Sequence, residues 1–304
     1  MKKIIIGGRG SEMSLKQIDI VKNKLVQLDP KIVIEVKIIT TKGDKNMHPI
    51  PLDSEGKGWF TKEIDRSLLD GEIDAAVHSL KDLPEELPEG IVFAAIPQRE
   101  DAREVLVSKK NIPFRLLPEH AVIGTDSNRR KSQLLYQRPD LTIKSIRGNV
   151  NTRLRKLREE DYDGLILAAA GLIRLNMQEI ITGYFDLPEF IPSPGQGALA
   201  VVIRHDKQKL LDFISKINDR QTVEAVTAER SFSAAVGGGC KTPVGAYAGF
   251  ANGKLQLYGL VGSLDGKHIA ADSVAGAGTE AEKLGKALAK KILRNSSSWY
   301  RPTV

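Results

Sequence analysis

Apolar residues recur along this chain in two alternating rhythms. Lys3 to Gly7 is a short isoleucine run ending in Gly-Gly, and the segment from Ser11 then repeats Ile18, Val21, Leu25 and Leu28 at helical spacing. That pair predicts a strand, a turn and a helix. Ile32 to Ile39, Ile73 to Val77 and Ile91 to Ile96 are further β-branched runs, with a helical stretch at Phe60 to Leu69 among them. A second series follows at Val105 to Val107, Ala121 to Ile123, Thr142 to Ile146 and Gly164 to Leu167. The proline-rich passage Pro188 to Pro194 leads into strand-like Ala198 to Ile203, expected to return to the first sheet. Strands alternating with helices predict an α/β protein with largely parallel sheets. From Arg220 the pattern shifts to a helix reaching Val236, three glycines before Cys240, strands at Val244 to Ala251 and Leu255 to Val261, and a terminal helix from Thr279 to Leu293. This is a small α+β module. The expected domains are 1–97 with 198–216, then 103–191, then 220–304, with hinges at 98–103 and 192–197. The polar segment Thr41 to Gly58, broken by Gly43, Pro49, Pro51 and Gly56, is expected to be a long loop acting as a lid.

Length and composition narrow the class. With 304 residues, 41% hydrophobic and 27% charged, the chain has material for two or three cores, and wholesale disorder is excluded. Three isoleucines after Met-Lys-Lys are too few for a secretory signal, so a cytoplasmic or plastid-type location is expected. Leu165 to Ile173 is half a membrane span, and no membrane association is expected. Cys240 is the only cysteine, which excludes an intrachain disulfide and a multi-cysteine metal site; no metal is expected.

The formal charge of +7 conceals a concentration: Arg129 to Arg158 holds ten basic residues against one acid, Asp140. Ligands of α/β sheets collect at the carboxyl ends of strands. Arg9 and Ser11 follow the first strand there; Lys81 and Asp82 follow Ile73 to Val77; Ser127, Arg129 and Arg130 follow Ala121 to Ile123; Arg147 follows Thr142 to Ile146, with Arg153 about two helical turns on. Guanidinium forks in that number suit carboxylates or phosphates. The competing reading makes them surface ion pairs. Asp82, before Pro84, either stabilises a turn through backbone amides or supplies one negative charge to a cationic site, to stabilise a cation or move a proton. His78 is read as structural. Cys240 is either a small buried hydrophobe or, presented by the glycines Gly237 to Gly239, a nucleophile or covalent tether.

The segments GRGSEMSLKQ, GKGWFTKE, AVHSLKDLP, GTDSNRRKSQL, IRGNVNTRLRKL, AAAGLIRL, PSPGQGALA, TAERSF and GGGCKTPVG occur in this order over nearly the whole chain. In that order the chain resembles the porphobilinogen deaminase (hydroxymethylbilane synthase) family. The resemblance implies two periplasmic-binding-protein-like α/β domains flanking a cleft, plus a small α+β domain. It also implies a dipyrromethane cofactor joined to Cys240 by a thioether, and a transferase that condenses four porphobilinogen molecules head to tail, releases ammonia and hydrolyses off hydroxymethylbilane. Asp82 takes the catalytic position. Lys81, Ser127, Arg129, Arg130 and Gly171 take cofactor-binding positions. Arg9, Ser11, Arg147, Arg153, Arg174, Ser79, Gln196 and Lys57 take substrate-binding positions, Lys57 on the lid-like loop. The resemblance also implies a monomer. Departures from the family pattern fall at Gly8, at Glu12-Met13-Ser14, at Asn128 and at Lys241-Thr242, and none replaces the aspartate, the cysteine or these arginines.

Two other functions compete. A nucleic-acid-binding regulator would use the basic window, but aromatics total 5% and only Tyr136 lies within it, so no nucleic-acid partner is expected. A solute-binding module of the same fold needs no glycine-presented thiol.

Overall fold

The computed structural model describes residues 3–45, 61–237 and 242–300. In chain order the elements are β1 (Lys3–Gly8), α1 (Glu12–Leu28), β2 (Val33–Ile38), α2 (Lys42–Lys45), α3 (Lys62–Leu69), β3 (Ala75–Ser79) and β4 (Ile91–Ala95). There follow β5 (Glu104–Ser108), β6 (Val122–Gly124), α4 (Asn128–Gln137), β7 (Thr142–Lys144), α5 (Val150–Glu159), β8 (Gly164–Ala168), α6 (Ala169–Arg174) and β9 (Gly183–Tyr184). The chain continues through β10 (Leu199–Arg204), α7 (Gln208–Ile214), α8 (Arg220–Ala235), β11 (Val244–Ala251), β12 (Lys254–Gly262), β13 (Ile269–Gly276) and α9 (Ala281–Ser296). It divides into two compact units, 1–100 with 198–223, and 101–197 with 224–304.

The first unit holds a five-stranded sheet in the order β2-β1-β3-β10-β4. β1 runs parallel to β2 and β3, whereas β10 runs antiparallel to both β3 and β4. The expected largely parallel sheet is therefore corrected to a mixed one. A parallel pair needs a crossover, which α1 and α3 provide. β10 arrives from a distant part of the chain and enters from the opposite end. The helical spacing read from the sequence sets the packing: Ile18, Val21 and Leu25 of α1 lie fully buried against Ile4, Ile6, Val77 and Val201. The Ser11 side chain caps α1 by accepting from the Ser14 amide at 3.3 Å.

The sheet of the second unit has the order β7-β6-β8-β5-β9, with β6 parallel to β7 and β8 and with β5 antiparallel to β8 and β9. It repeats the topology of the first. Leu106, Ile123, Leu134, Ile166 and Phe190 form one buried cluster, and Val105, Leu165, Leu167, Leu154 and Leu172 another. With a cluster on each face, β5 and β8 read as unbroken apolar runs.

The same unit contains a three-stranded antiparallel meander, β11-β12-β13, with α8 and α9 on it. Gly285 of α9 allows the close crossing of α8, because a Cβ there would stand 2.6 Å from the Ala228 carbonyl oxygen. β13 was not expected from the sequence. Neither was α2, which occupies the start of the segment read as a loop; residues 46–58 of that loop, including Lys57, lie outside the described residues. No described helix is long and apolar enough to cross a membrane.

Candidate functional site

In the first unit, β3 ends at Ser79 and passes into a single 3-10 turn, Leu80–Asp82. Leu80 and Leu83 are buried on either side of the turn, and the Leu80 amide donates to the Ala198 carbonyl at 3.0 Å. This anchoring leaves Lys81 and Asp82 exposed between two fixed leucines. No described residue donates to the Asp82 carboxylate, so it does not stabilise the turn through backbone amides. The turn is held by the Leu83 amide on the Leu80 carbonyl, at 3.2 Å. Because β1 and β3 are parallel neighbours, Arg9 and Ser11 emerge at the same edge of the sheet as Lys81 and Asp82. The Ser79 hydroxyl accepts from Gln17 Nε2 at 2.8 Å, and Gln17 is itself buried on α1.

His78 belongs to the interior. It is buried, burial lowers its pKa to about 4, and its Nε2 has no hydrogen-bond partner among the described residues. Its ring is neutral near pH 7.

In the second unit, the carboxyl ends of β6 and β7 lead into the basic window. Ser127 caps α4, its Oγ accepting from the Arg130 amide at 3.4 Å. Arg129 and Arg130 share the fully buried Glu104, Nη2 to Oε1 at 2.6 Å and Nη2 to Oε2 at 2.7 Å. Their Nη1 atoms donate to the carbonyls of Ile191 at 2.9 Å and Ile166 at 2.8 Å. Burial pushes the Arg129 pKa down and Glu104 pulls it back up. The sequence suggested either open anion binders or surface ion pairs; these two side chains instead form a buried triad with one acid. The Nε of Arg130 is also buried and has no hydrogen-bond partner among the described residues.

Arg147 and Arg153 are more accessible. Arg147 Nε lies 3.1 Å from Asp126 Oδ2. Arg153 Nε donates to the Gly148 carbonyl at 2.8 Å, and its pKa is lowered by burial and then by Arg130 and Arg147. Arg174, at the end of α6, donates from Nη2 to the Gly197 carbonyl at 2.7 Å, and Gly171 lies within that helix. Buried Gln196 donates to the Ala102 carbonyl at 2.8 Å. Cys240 lies outside the described residues, between Gly237, a left-handed residue with φ 69° after α8, and the start of β11.

Sequence reasoning missed three acids. Glu104 and Asp126 are the counter-ions just described. Glu229, within TAERSF, is fully buried and accepts from the Gly195 amide at 2.6 Å and the Ala248 amide at 2.7 Å, tying the SPGQG segment to β11. A lone acid in an apolar context, as in EVLVS, was the available signal for Glu104.

Comparison with known proteins bears on this arrangement. Residues 4–212 match the family model described as porphobilinogen deaminase, dipyromethane cofactor binding domain, and residues 223–294 match that of the porphobilinogen deaminase C-terminal domain. The chain belongs to the porphobilinogen deaminase family. It is 49% identical to the porphobilinogen deaminase of Geobacillus kaustophilus over 92% of this chain and 91% of that one. The Bacillus subtilis relative is 45% identical over 94% and 91%, and the Clostridioides difficile relative 44% identical over 97% and 99%. Among solved structures, an arginine-specific periplasmic binding protein of Salmonella typhimurium is similar at 15% identity and TM-score 0.42, covering 73% of this chain and 94% of that one. The methionine binding protein MetQ is similar at 10% identity and TM-score 0.46, covering 71% and 89%.

The family's cofactor is a polycarboxylate, and the donor set of the second unit fits such a group. Arg130 Nε is a buried N–H with nothing to donate to among the described residues, and Arg147 and Arg153 stand close by.

Proposed function

We propose that Asp82 is the catalytic carboxylate of this chain and that Cys240 anchors its dipyrromethane cofactor. The chain is a transferase of tetrapyrrole synthesis: it condenses four porphobilinogen molecules head to tail, releases ammonia at each step and hydrolyses off hydroxymethylbilane. The observation that carries the Asp82 assignment is its exposure without a partner. A carboxylate fixed by buried neighbours but receiving no hydrogen bond from any described residue is preorganised for a ligand.

The chemistry needs one such group. Loss of ammonia from porphobilinogen spreads positive charge onto the pyrrole nitrogen, and a carboxylate accepting the pyrrole N–H stabilises that charge as it develops. When bound, the dipyrromethane supplies the nucleophilic pyrrole on which the chain grows. Each substrate unit and each ring of the cofactor brings an acetate and a propionate. We assign Arg147 and Arg153, with Arg130 through its Nε, to those carboxylates in the second unit. Arg9, Ser11, Ser79 and Lys81 take that task in the first. Arg129, Gln196 and Arg174 make main-chain hydrogen bonds that hold the surrounding loops, alongside any contact with ligand. Ser127 and Gly171 are assigned to the cofactor and Lys57 to the substrate on the family pattern. A monomer of the cytoplasm or a plastid completes the reading.

Asp82→Asn tests it. The variant is expected to keep the intact-mass increment of two linked pyrroles and to lose at least a hundredfold in turnover, the usual scale for one positioned acid–base or charge-stabilising group. Turnover near wild type removes Asp82 from the mechanism. A bare polypeptide mass in matured wild-type protein removes the thioether.

A further inference from the structure

We propose that Asp126 is a built-in competitor for the substrate's carboxylates, a specificity-determining side chain that occupies Arg147 until an anionic ligand displaces it. The proposal rests on the reading that Arg147 binds a substrate carboxylate, and it adds what that guanidinium holds beforehand.

β6 and β7 are parallel, with Gly124 opposite Lys144, and the Thr125 amide donates to the Lys144 carbonyl at 3.0 Å. The residues just beyond both strands therefore meet at one sheet edge. Asp126 Oδ2 lies 3.1 Å from Arg147 Nε, and Asp126 Oδ1 accepts the hydroxyl of Ser145. The serine fixes the carboxylate so that it faces the arginine. Both charged side chains remain accessible, Arg147 at 42% and Asp126 at 27%, so a ligand can enter between them. Arg130 and Arg147 act on Arg153 as like charges and Asp126 as an opposite one, which places the Asp126 carboxylate among three guanidinium groups, of which Arg130 is already paired with Glu104.

That placement discriminates by charge number. A ligand with one carboxylate gains Arg147 only by losing the Asp126 pair, close to an even exchange. A ligand with two carboxylates keeps a second contact, to Arg153, which forms no direct ion pair with an acid among the described residues and feels Asp126 only at longer range. Asp126 thus disfavours simple monocarboxylates and retains a substrate bearing both acetate and propionate. The plain alternative is that Asp126 only orients Arg147, and it predicts an effect of the opposite sign.

The test is Asp126→Asn in the holoenzyme; asparagine keeps the size and the acceptor for Ser145 but loses the charge. Asp126→Ser serves as a second variant, and thermal unfolding checks that both fold. The competitor predicts that KM for porphobilinogen falls about two- to fivefold, the range of a partly exposed ion pair. It also predicts that inhibition by acetate ion strengthens and that KM rises more steeply with added NaCl. In an Arg147→Leu background the Asp126→Asn effect should vanish. An unchanged KM in Asp126→Asn overturns the proposal, and a raised KM that recovers in Asp126→Glu overturns it in favour of orientation. If Arg147→Leu alone leaves KM unchanged, the carboxylate-binding reading of Arg147 fails instead, and with it the competitor.

Discussion

Replacing Asp65 with Asn is expected to uncover a pH dependence of stability that the wild-type protein conceals. Asp65 lies on α3 between the core residues Ile64 and Leu68 and is 8% exposed. Burial raises its pKa from 3.8 to about 6, against a smaller opposing hydrogen bond from Thr61. His78 on β3 is 7% exposed, and burial lowers its pKa from 6.5 to about 4. Both groups favour the uncharged form, yet their linkage to pH has opposite signs. The Asp65 contribution is complete below 3.8 and is lost as pH rises through 6. The His78 contribution is complete above 6.5 and is lost as pH falls through 4. Each displacement is about two pKa units, or roughly 3 kcal/mol at about 1.4 kcal/mol per unit, an upper figure before relaxation. Near pH 5 the folded state holds a proton on Asp65 that the unfolded chain lacks, and the unfolded chain holds one on His78 that the folded state lacks. The two slopes cancel.

Asp65→Asn leaves His78 alone, so stability relative to wild type should climb by up to about 3 kcal/mol between pH 4 and pH 7. His78→Phe leaves Asp65 alone, so relative stability should decline over the same interval. Urea unfolding followed by circular dichroism supplies the free energies, and amide exchange in α1 and β3 confirms that the first unit is being reported. Groups common to wild type and variant drop out of the difference. A difference between Asp65→Asn and wild type that stays flat from pH 4 to pH 7 refutes the reasoning, because a constant offset means Asp65 titrates alike in both states.

Two further outcomes follow from buried acids. Glu104→Gln removes the charge shared by Arg129 and Arg130 and leaves two buried guanidinium groups uncompensated, so urea unfolding should show a loss of about 3–5 kcal/mol; a loss below about 1 kcal/mol would mean that water reaches the triad. Glu229→Ala strands the amides of Gly195 and Ala248 without their acceptor, at about 1–3 kcal/mol each, and amide exchange at those two positions should speed up before the strands around them respond.

Several strand ends were legible because the apolar run stops at glycine, serine or a charged residue, as at Gly7, Ser79, Gly124 and Arg204, and sheet topology then brings the ends of the parallel strands to one edge. Strand direction was not legible. β10 and β5 have the same apolar pattern as their parallel neighbours, and nothing local distinguishes a strand that enters from the opposite end. β13 escaped notice because none of its residues is buried, so Ile269 to Gly276 has no alternation to detect. The arginine cluster was legible as charge but not as geometry. Glu104 precedes Arg129 by 25 positions, so the acid that draws two of the arginines into the interior lies outside the basic window entirely. Asp126 lay in plain view within GTDSNRRKSQL, but its pairing depends on β7 lying beside β6, a contact between segments about 20 residues apart.

The two sheets share one topology, so corresponding strand ends can be compared directly, and they have diverged in charge. After the first strand of each parallel trio come Arg9 and Ser11 in one unit and Asp126, Ser127, Arg129 and Arg130 in the other. After the third come Lys81 and Asp82 in one and Gly171 and Arg174 in the other. Sheet geometry is indifferent to these residues, since they lie beyond the paired strands, although Glu104 draws Arg129 and Arg130 into the interior. The fold thus fixes where side chains are presented, and the turn sequences decide what is presented. Only at the end of β3 does a turn closed by two buried leucines present an acid that no described residue engages. At the equivalent end of β8, α6 begins at once and consumes the free backbone in helical hydrogen bonds. A carboxylate at Gly171 would sit within a helix that ends in Arg174 rather than in an open turn. The acid proposed at Asp82 is therefore expected to work only in the first unit, and moving it, as in Asp82→Ala with Gly171→Asp, should fail to restore turnover even if the cofactor is retained.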